Sequence, residues 1–415
     1  MKEKGLLENS LFLEACDDVL WQPGMLIEGT DIQHNPLRDF VTPRNPSSPY
    51  GFLSYLKSEN RLFDYLNLAA PFPTRTEYAR YFSWVAKHFG NYVKFGIQVS
   101  SVTYVPDQAN SGLIEVQSSD GTCFYTKSVV VGSGRSRYIP KEFNKLLSKD
   151  IVHSDDYIWA KKIWLQKSNK PKVAVVGGSQ SAVEILLDLS ESCEVVGITR
   201  SFGFKQKDLS PFTECVYYPE FVNCFHGAKT SDQNNITKEL WRSNYGAADH
   251  DVINALNFRL YEQKVTGKRD IFLYQNSVIE SIKRNPEKDA YTMNLIDRYN
   301  QQSSVVTVNG IIFATGYKNF GNLENQEPYH PLLEGIVSNI IFREDGSPDI
   351  LGDYRLNRKR SLSPVYLNGL CETSHGFGDA GSFSLLSVRS GNIADSINST
   401  VCAISGNDNL TAKGV

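Results

Sequence analysis

An α/β fold built from two dinucleotide-binding domains, with a smaller helical region attached, is predicted by three observations. The first is the unit at residues 171–201, where the β-branched run Val173 to Val176 stops at Gly177 and Gly178 and a helical pattern follows through Ala182, Val183, Leu186 and Leu187. Val195 to Ile198 reads as the next strand, completing a Rossmann-like strand–turn–helix–strand unit. The second is an alternating stretch at residues 271–310 that turns at Asn285-Pro286-Glu287 and feeds the buried run VNGIIFATGY, ending in Gly316. The third is an earlier copy of that tail at residues 95–134, a β-meander feeding Ser128 to Val131 and again ending in glycines. Two unrelated β segments would look alike at this coarse level.

Composition narrows the function. The 415 residues are 41% apolar and 21% charged, which suits two or three soluble domains. A net charge of -3 leaves no basic excess for phosphates, so nucleic-acid binding has no compositional support and an enzyme of small molecules is favoured. The seven cysteines (Cys16, Cys123, Cys193, Cys215, Cys224, Cys371, Cys402) show no metal-ligand spacing, which predicts a reducing compartment and no structural metal. No signal-like run opens the chain, and no stretch approaches the ~20 apolar residues of a membrane span. A cytoplasmic location is expected.

In the first domain, Leu11-Phe12-Leu13-Glu14 reads as the second strand, with Glu14 at the strand end where a ribose hydroxyl is held. The glycine loop belongs about 20 residues earlier, ahead of Met1, and residues 1–10 read as the end of the helix that follows such a loop. The alternative is an ordinary surface strand. The second domain's turn, Gly177-Gly178-Ser179-Gln180-Ser181-Ala182, fits GxGxxA with Ser179 at the second glycine position. Such a turn binds pyrophosphate because backbone N–H groups and a helix N-terminus face the anion. Arg200, where an acid is usual at the end of the second strand, suits a ribose 2′-phosphate and so NADPH; a solvated surface arginine is the alternative.

Residues 21–84 carry the most distinctive text. It includes Trp21-x-Pro23-Gly24-Met25, Gln33 after Asp31-Ile32, Asp39 to Pro49, Asn67-Leu68, and Pro73-x-Arg75-x-Glu77-Tyr78-x-x-Tyr81-x-x-Trp84, with Tyr78, Phe82, Val85 and Phe89 predicted to share a helix face. Further on stand HSDDY (153–157), VVGGSQSAVE (175–184), SPF (210–212), Asn244-Tyr245, ATGY (314–317) and HGFGD (375–379) followed by SLLSVR. In this order the motifs strongly resemble the flavin-dependent N-hydroxylating monooxygenases of siderophore biosynthesis, the L-ornithine N5- and L-lysine N6-monooxygenases, over residues 11 to 391.

The resemblance implies FAD and NADPH as cofactors and dioxygen and a small primary amine as reactants, in a homo-oligomer, tetramer or dimer. NADPH reduces the flavin, dioxygen adds at its C4a carbon, and the uncharged amine attacks the distal oxygen. An alkyl amine of pKa near 10.4 must be desolvated for this, at about 4 kcal/mol for a three-unit shift. Residues 1–165 become the first part of the FAD domain, without its start; 166–304 the NADPH domain, including a helical substrate region at 231–265; and 305–415 the second part of the FAD domain with a substrate loop.

Gln33, Trp21 and Met25 are placed along the flavin by motif position, with Gln33 at its reactive ring and Gln33 and Asn244 as catalytic candidates. Glu14, Thr315 and Gly316 are expected near the flavin tail, Gln180 and Ser181 beside the nicotinamide cofactor, and Arg75 near both cofactors. Core packing is the alternative for Trp21, and pairing near Glu77 for Arg75. Asn244 and Ser384 match substrate-binding positions, while His375, glycine-flanked in a turn, reads as structural.

Two substrate positions depart from the ornithine pattern, Arg38 standing for a lysine and Glu214 for an asparagine. Glu214 would repel a carboxylate or pair with Arg38, which favours amines without a carboxylate, such as histamine, putrescine or cadaverine, over ornithine or lysine. Two other functions remain open: a sulfide- or ketone-oxygenating flavoprotein, whose FxGxxxHxxxY/F-type signature is not recognisable here, and a non-catalytic nucleotide-binding or scaffold relative.

Overall fold

The computed structural model describes residues 1–68, 70–105, 112–359 and 362–411, with side chains to residue 400. Cys402 and the 106–111 stretch of the first meander therefore lie outside the described side chains, and the six other cysteines are unpaired thiols. Among the described residues no helix is long and apolar enough to cross a membrane.

Strand β1 (Phe12–Leu13) opens the first domain and is followed by α1 (Phe52–Ser58), α2 (Leu62–Asn67) and α3 (Arg75–Lys87). Helix α3 starts where it does because Thr74 and Glu77 form half of a capping box, the Thr74 hydroxyl accepting from the Glu77 N–H at 3.2 Å. It buries Tyr78, Tyr81 and Phe82 in an aromatic cluster with Phe52 and Tyr55. The helix ends before Phe89, so the buried face is completed by Tyr81 instead. Strand β2 (Val93–Lys94) pairs in parallel with β1, and the meander β3 (Val99–Tyr104), β4 (Ile114–Ser118) and β5 (Cys123–Thr126) leads to β6 (Val129–Val131). Residues 1–10, expected to be helical, form two single 3₁₀ turns, Lys2–Lys4 and Leu7–Asn9. Ser10 ends the second by donating its hydroxyl to the Leu6 carbonyl at 2.7 Å.

In the second domain, expected at 166–304, the sheet also draws on strands from both sides of that range. Its sheet is five parallel strands, β7 (Ile151–His153), β8 (Lys172–Val176), β9 (Glu194–Ile198), β10 (Ile271–Tyr274) and β14 (Gly310–Phe313), in the order β10-β9-β8-β14-β7. Both β7 and β14 fall outside the expected range because strand pairing, not sequence proximity, decides membership of a sheet: Ile311 sits between Ile151 and Ala174. Helices α4 (Tyr157–Lys167) and α5 (Gln180–Ser190) lie against it, burying Trp164, Val183, Leu186 and Leu189 with Val173, Val175 and Ile312. The helical region expected at 231–265 contains α7 (Thr230–Glu239) and α8 (His250–Thr266), preceded by α6 (Pro219–Gly227). The meander β11 (Ser277–Asn285), β12 (Ala290–Asp297), β13 (Ser303–Val308) turns at the predicted Pro286.

After β14 the chain returns to the flavin side through the paired short strands β15 (Asn319–Phe320) and β16 (Gln326–Glu327), then β17 (Val365–Leu367), α9 (Glu372–His375) and α10 (Leu386–Thr411). Strand β17 pairs in parallel with β6, so outside the five-stranded sheet the parallel strands form three separate pairs, β1·β2, β6·β17 and β15·β16.

Candidate active site

The expected NADPH turn is built for close approach. Gly177 has φ +156° and a Cβ there would lie 2.4 Å from the Ala314 carbonyl; a Cβ on Gly178 would lie 2.6 Å from Thr199 Oγ1. Ser179 is the N-cap of α5 in extended geometry (φ -115°, ψ -172°), which any residue adopts, so serine at the second glycine position carries no backbone strain. Arg200 is exposed just beyond β9 and its guanidinium has no hydrogen-bond or ion-pair partner among the described residues. Glu14 stands at the end of β1, its backbone tied to Lys94 and Ile97 and its carboxylate accepting from the Cys16 N–H at 2.9 Å. Thr315 donates to the Tyr138 carbonyl, and the Gly316 carbonyl accepts from the Tyr138 N–H at 2.9 Å, which holds ATGY against the loop after β6.

Gly24 explains how the first motif meets HSDDY. A Cβ there would lie 1.6 Å from the Asp155 carbonyl oxygen, so only glycine lets Pro23–Met25 pack this closely. Trp21 stacks on Phe82 at 5.5 Å and meets Phe383 edge-on at 5.4 Å, and Met25 is buried in the core with Tyr157 and Trp164. Met25 is thus buried and Trp21 partly buried against its aromatic neighbours. Arg75 does not pair near Glu77, which Arg61 holds at 2.8 Å. It reaches Glu184 of the NADPH helix at 2.9 Å and the Met25 carbonyl at 3.0 Å, with the two charged side chains only 7% and 3% exposed. Burial raises the Glu184 carboxyl against the pull of Arg75.

From Glu184 one hydrogen-bonded chain runs back to Gln33. Gln180 Nε2 donates to Glu184 at 2.9 Å, the Asp249 N–H donates to Gln180 Oε1 at 2.7 Å, and Gln33 Nε2 donates to Asp249 Oδ2 at 2.6 Å. Burial raises the Asp249 carboxyl, with Lys207 and the Gln33 hydrogen bond opposing. Asp249 carried no motif signal.

The substrate candidates come together in a second group of contacts. Arg38 Nη1 lies 3.5 Å from Glu214 Oε2 and 3.2 Å from Ser384 Oγ, and its guanidinium sits 5.8 Å from the Tyr217 ring centre. The Tyr217 hydroxyl reaches Asn244 Oδ1 at 3.2 Å, leaving Asn244 Nδ2 without a partner among the described residues. Next to it Tyr245 is buried against Arg135 (2.7 Å) and Glu372 (2.5 Å), which pins the Asn244 loop to the flavin side. His375 is buried in a 4.2 Å stack on Tyr354, and burial pushes its imidazole down to about 4, a structural setting.

The L-lysine 6-monooxygenase/L-ornithine 5-monooxygenase family matches residues 2–319. The chain belongs to this family. An L-ornithine N(5)-monooxygenase of Pseudomonas aeruginosa is 30% identical over 95% of this chain and 88% of its own length. The structure of L-lysine 6-monooxygenase from Pseudomonas syringae superposes with a TM-score of 0.82 at 31% identity, covering 94% of this chain and 91% of that one. That of the ornithine hydroxylase from Pseudomonas aeruginosa gives 0.85 at 28% identity, covering 94% and 92%. The protein is thus a flavin-type N-monooxygenase, and the expected two-domain α/β fold is the family's. In this N-monooxygenase, Arg200→Ala is expected to weaken NADPH but not NADH about 10- to 100-fold, the size of a lost charge-assisted phosphate contact. Initial rates with each nucleotide check it, and equal loss for both would remove Arg200 from the site.

Proposed function

We propose that this N-monooxygenase uses FAD and NADPH to hydroxylate a small primary amine without a carboxylate, of the histamine, putrescine or cadaverine type, for siderophore biosynthesis. One observation carries the substrate assignment: Arg38, the cation that stands where the family pattern has a lysine for the substrate carboxylate, already has Glu214 at 3.5 Å. Both side chains are about three-quarters buried, so a carboxylate would have to displace a partly desolvated pair. A second cationic or imidazole group on an amine is instead attracted to Glu214.

The cofactors fit the residues present. Gly177, Gly178 and the start of α5 form a cradle that a Cβ would fill, with Arg200 beside it for the 2′-phosphate. Ser181 lies in the first turn of α5 and would stand with Ser179 and Gln180 beside the nicotinamide nucleotide. Glu14, Thr315 and Gly316 would hold the flavin's ribose and tail, and Gln33 would face its ring with Trp21 and Met25 packed behind. When bound, the flavin supplies the activated oxygen. The chain's own residues then orient and desolvate: Asn244 Nδ2 and Ser384 hold the substrate, and the Trp21–Phe82–Phe383 cluster excludes water, which favours the uncharged amine. We expect a homo-oligomer, dimer or tetramer, which light scattering would measure.

The test is to load the purified chain with FAD and assay hydroxylamine and peroxide separately with histamine, putrescine, cadaverine, ornithine and lysine. A yellow protein that forms hydroxylamine chiefly from the first three is expected. Hydroxylamine from the amino acids alone would overturn the substrate assignment, and a colourless protein with no NADPH oxidation would overturn the oxygenase reading in favour of a binding role.

A further inference from the structure

Two unfavourable local choices meet at a single hydrogen bond. Asp249 is the N-cap residue of the 17-residue helix α8, the position where a carboxylate ordinarily accepts from the helix's free N–H groups, yet it makes no capping bond. Its Oδ2 is turned to Gln33 instead, and its buried Oδ1 has no partner. Gln33 for its part stands at φ +60°, the left-handed region that a non-glycine residue adopts at a cost. A helix cap and a relaxed backbone are both given up for the 2.6 Å contact between residues 216 positions apart.

The chain of bonds behind this contact has one possible direction. The Asp249 backbone N–H can only donate, so Gln180 must present Oε1 to it and Nε2 to Glu184, which also accepts from the donor-only Arg75. At the far end the contact is made with Gln33 Nε2 as the donor and Asp249 Oδ2 as the acceptor. Gln33 Oε1 is then the end of the amide without a partner among the described residues.

We propose that Asp249 is a positioning residue that fixes which end of the Gln33 amide faces the reaction site, presenting Oε1 as a hydrogen-bond acceptor there. The same network begins on the NADPH helix, so it ties the orientation of Gln33 to the cofactor domain. The proposal rests on the placement of Gln33 at the flavin made above. Asparagine and serine are good N-cap residues, so Asp249→Asn and Asp249→Ser both preserve the start of α8; the first no longer dictates the direction of the amide and the second is too short to reach it.

In the FAD-loaded enzyme, hydroxylamine formed per NADPH consumed is expected to fall about 3- to 10-fold in either variant, with peroxide rising to match and the melting temperature little changed. The visible absorption band of the oxidised bound flavin is expected to shift, a readout that needs no turnover. In a Gln33→Leu background, Asp249→Asn is expected to add nothing further to either readout, because Asp249 acts through Gln33. Additive losses in that background, or an unshifted band with wild-type coupling, would overturn the proposal. If Gln33→Leu alone leaves coupling and spectrum at wild-type values, it is the placement of Gln33 that fails, and the proposal with it.

Discussion

Truncating Arg75 to alanine is expected to destabilise the protein by about 3–5 kcal/mol, the largest single-residue effect on stability expected from the structure. The variant leaves the Glu184 carboxylate buried without its cation and strips the Met25 and Asp31 carbonyls of their shared donor. Differential scanning calorimetry or urea titration measures the loss. The loss should depend on pH with a definite sign. Burial already raises the Glu184 carboxyl, and without Arg75 it rises further, so the folded variant holds a proton that the unfolded chain releases. Stability of Arg75→Ala relative to wild type is therefore highest at acid pH and falls as pH climbs through the raised pKa towards neutrality. Replacing both partners, as Arg75→Met with Glu184→Met, should recover much of the loss. A pH-independent loss below ~1 kcal/mol would mean that the pair is not buried as described.

Replacing Glu214 by glutamine is expected to have the largest effect on specificity. The substitution keeps the shape but frees Arg38, whose other neighbour is the Ser384 hydroxyl at 3.2 Å, to bind a substrate carboxylate. Such a contact is worth about 1.5–3 kcal/mol, so kcat/KM for ornithine or lysine should rise about 10- to 100-fold. A diamine should lose a comparable factor as the attraction for its second ammonium disappears. If ornithine is already the better substrate and Glu214→Gln changes neither ratio, the Arg38–Glu214 pair does not govern selection.

The parts legible in the sequence were those whose physics is local. Val173 to Ile198 could be read as strand, turn, helix and strand because periodicity and glycine placement act over a few residues, and each element lies within a residue or two of its expected place. The turn at Pro286 and the strand ending at Phe313 were legible for the same reason. Sheet membership was not: β7 and β14 join β8 through backbone hydrogen bonds whose partners no local pattern specifies. The site divides likewise. Motif text brought forward Arg38, Glu214 and Ser384, which do converge. It passed over Asp249 and Tyr217 and gave Glu184, the last residue of VVGGSQSAVE, no role of its own, because their importance lies in contacts with residues 216, 179 and 109 positions away. Helix-like residues 1–10 became 3₁₀ turns because so short a segment gains too little from helical hydrogen bonds to propagate beyond one turn.

The pairing of β7 with β14 also has a mechanical side. The chain enters the NADPH sheet at the start of β7 and leaves it at the end of β14, and the two strands are parallel neighbours, Ile311 facing Ile151 and Phe313 facing His153. Entry and exit thus lie at opposite ends of one ladder. A pull transmitted from the flavin side loads that ladder in shear, all its hydrogen bonds sharing the force, where an antiparallel neck would open like a zipper one bond at a time. Tension between the two domains must therefore shear a parallel ladder before the sheet of the second comes apart.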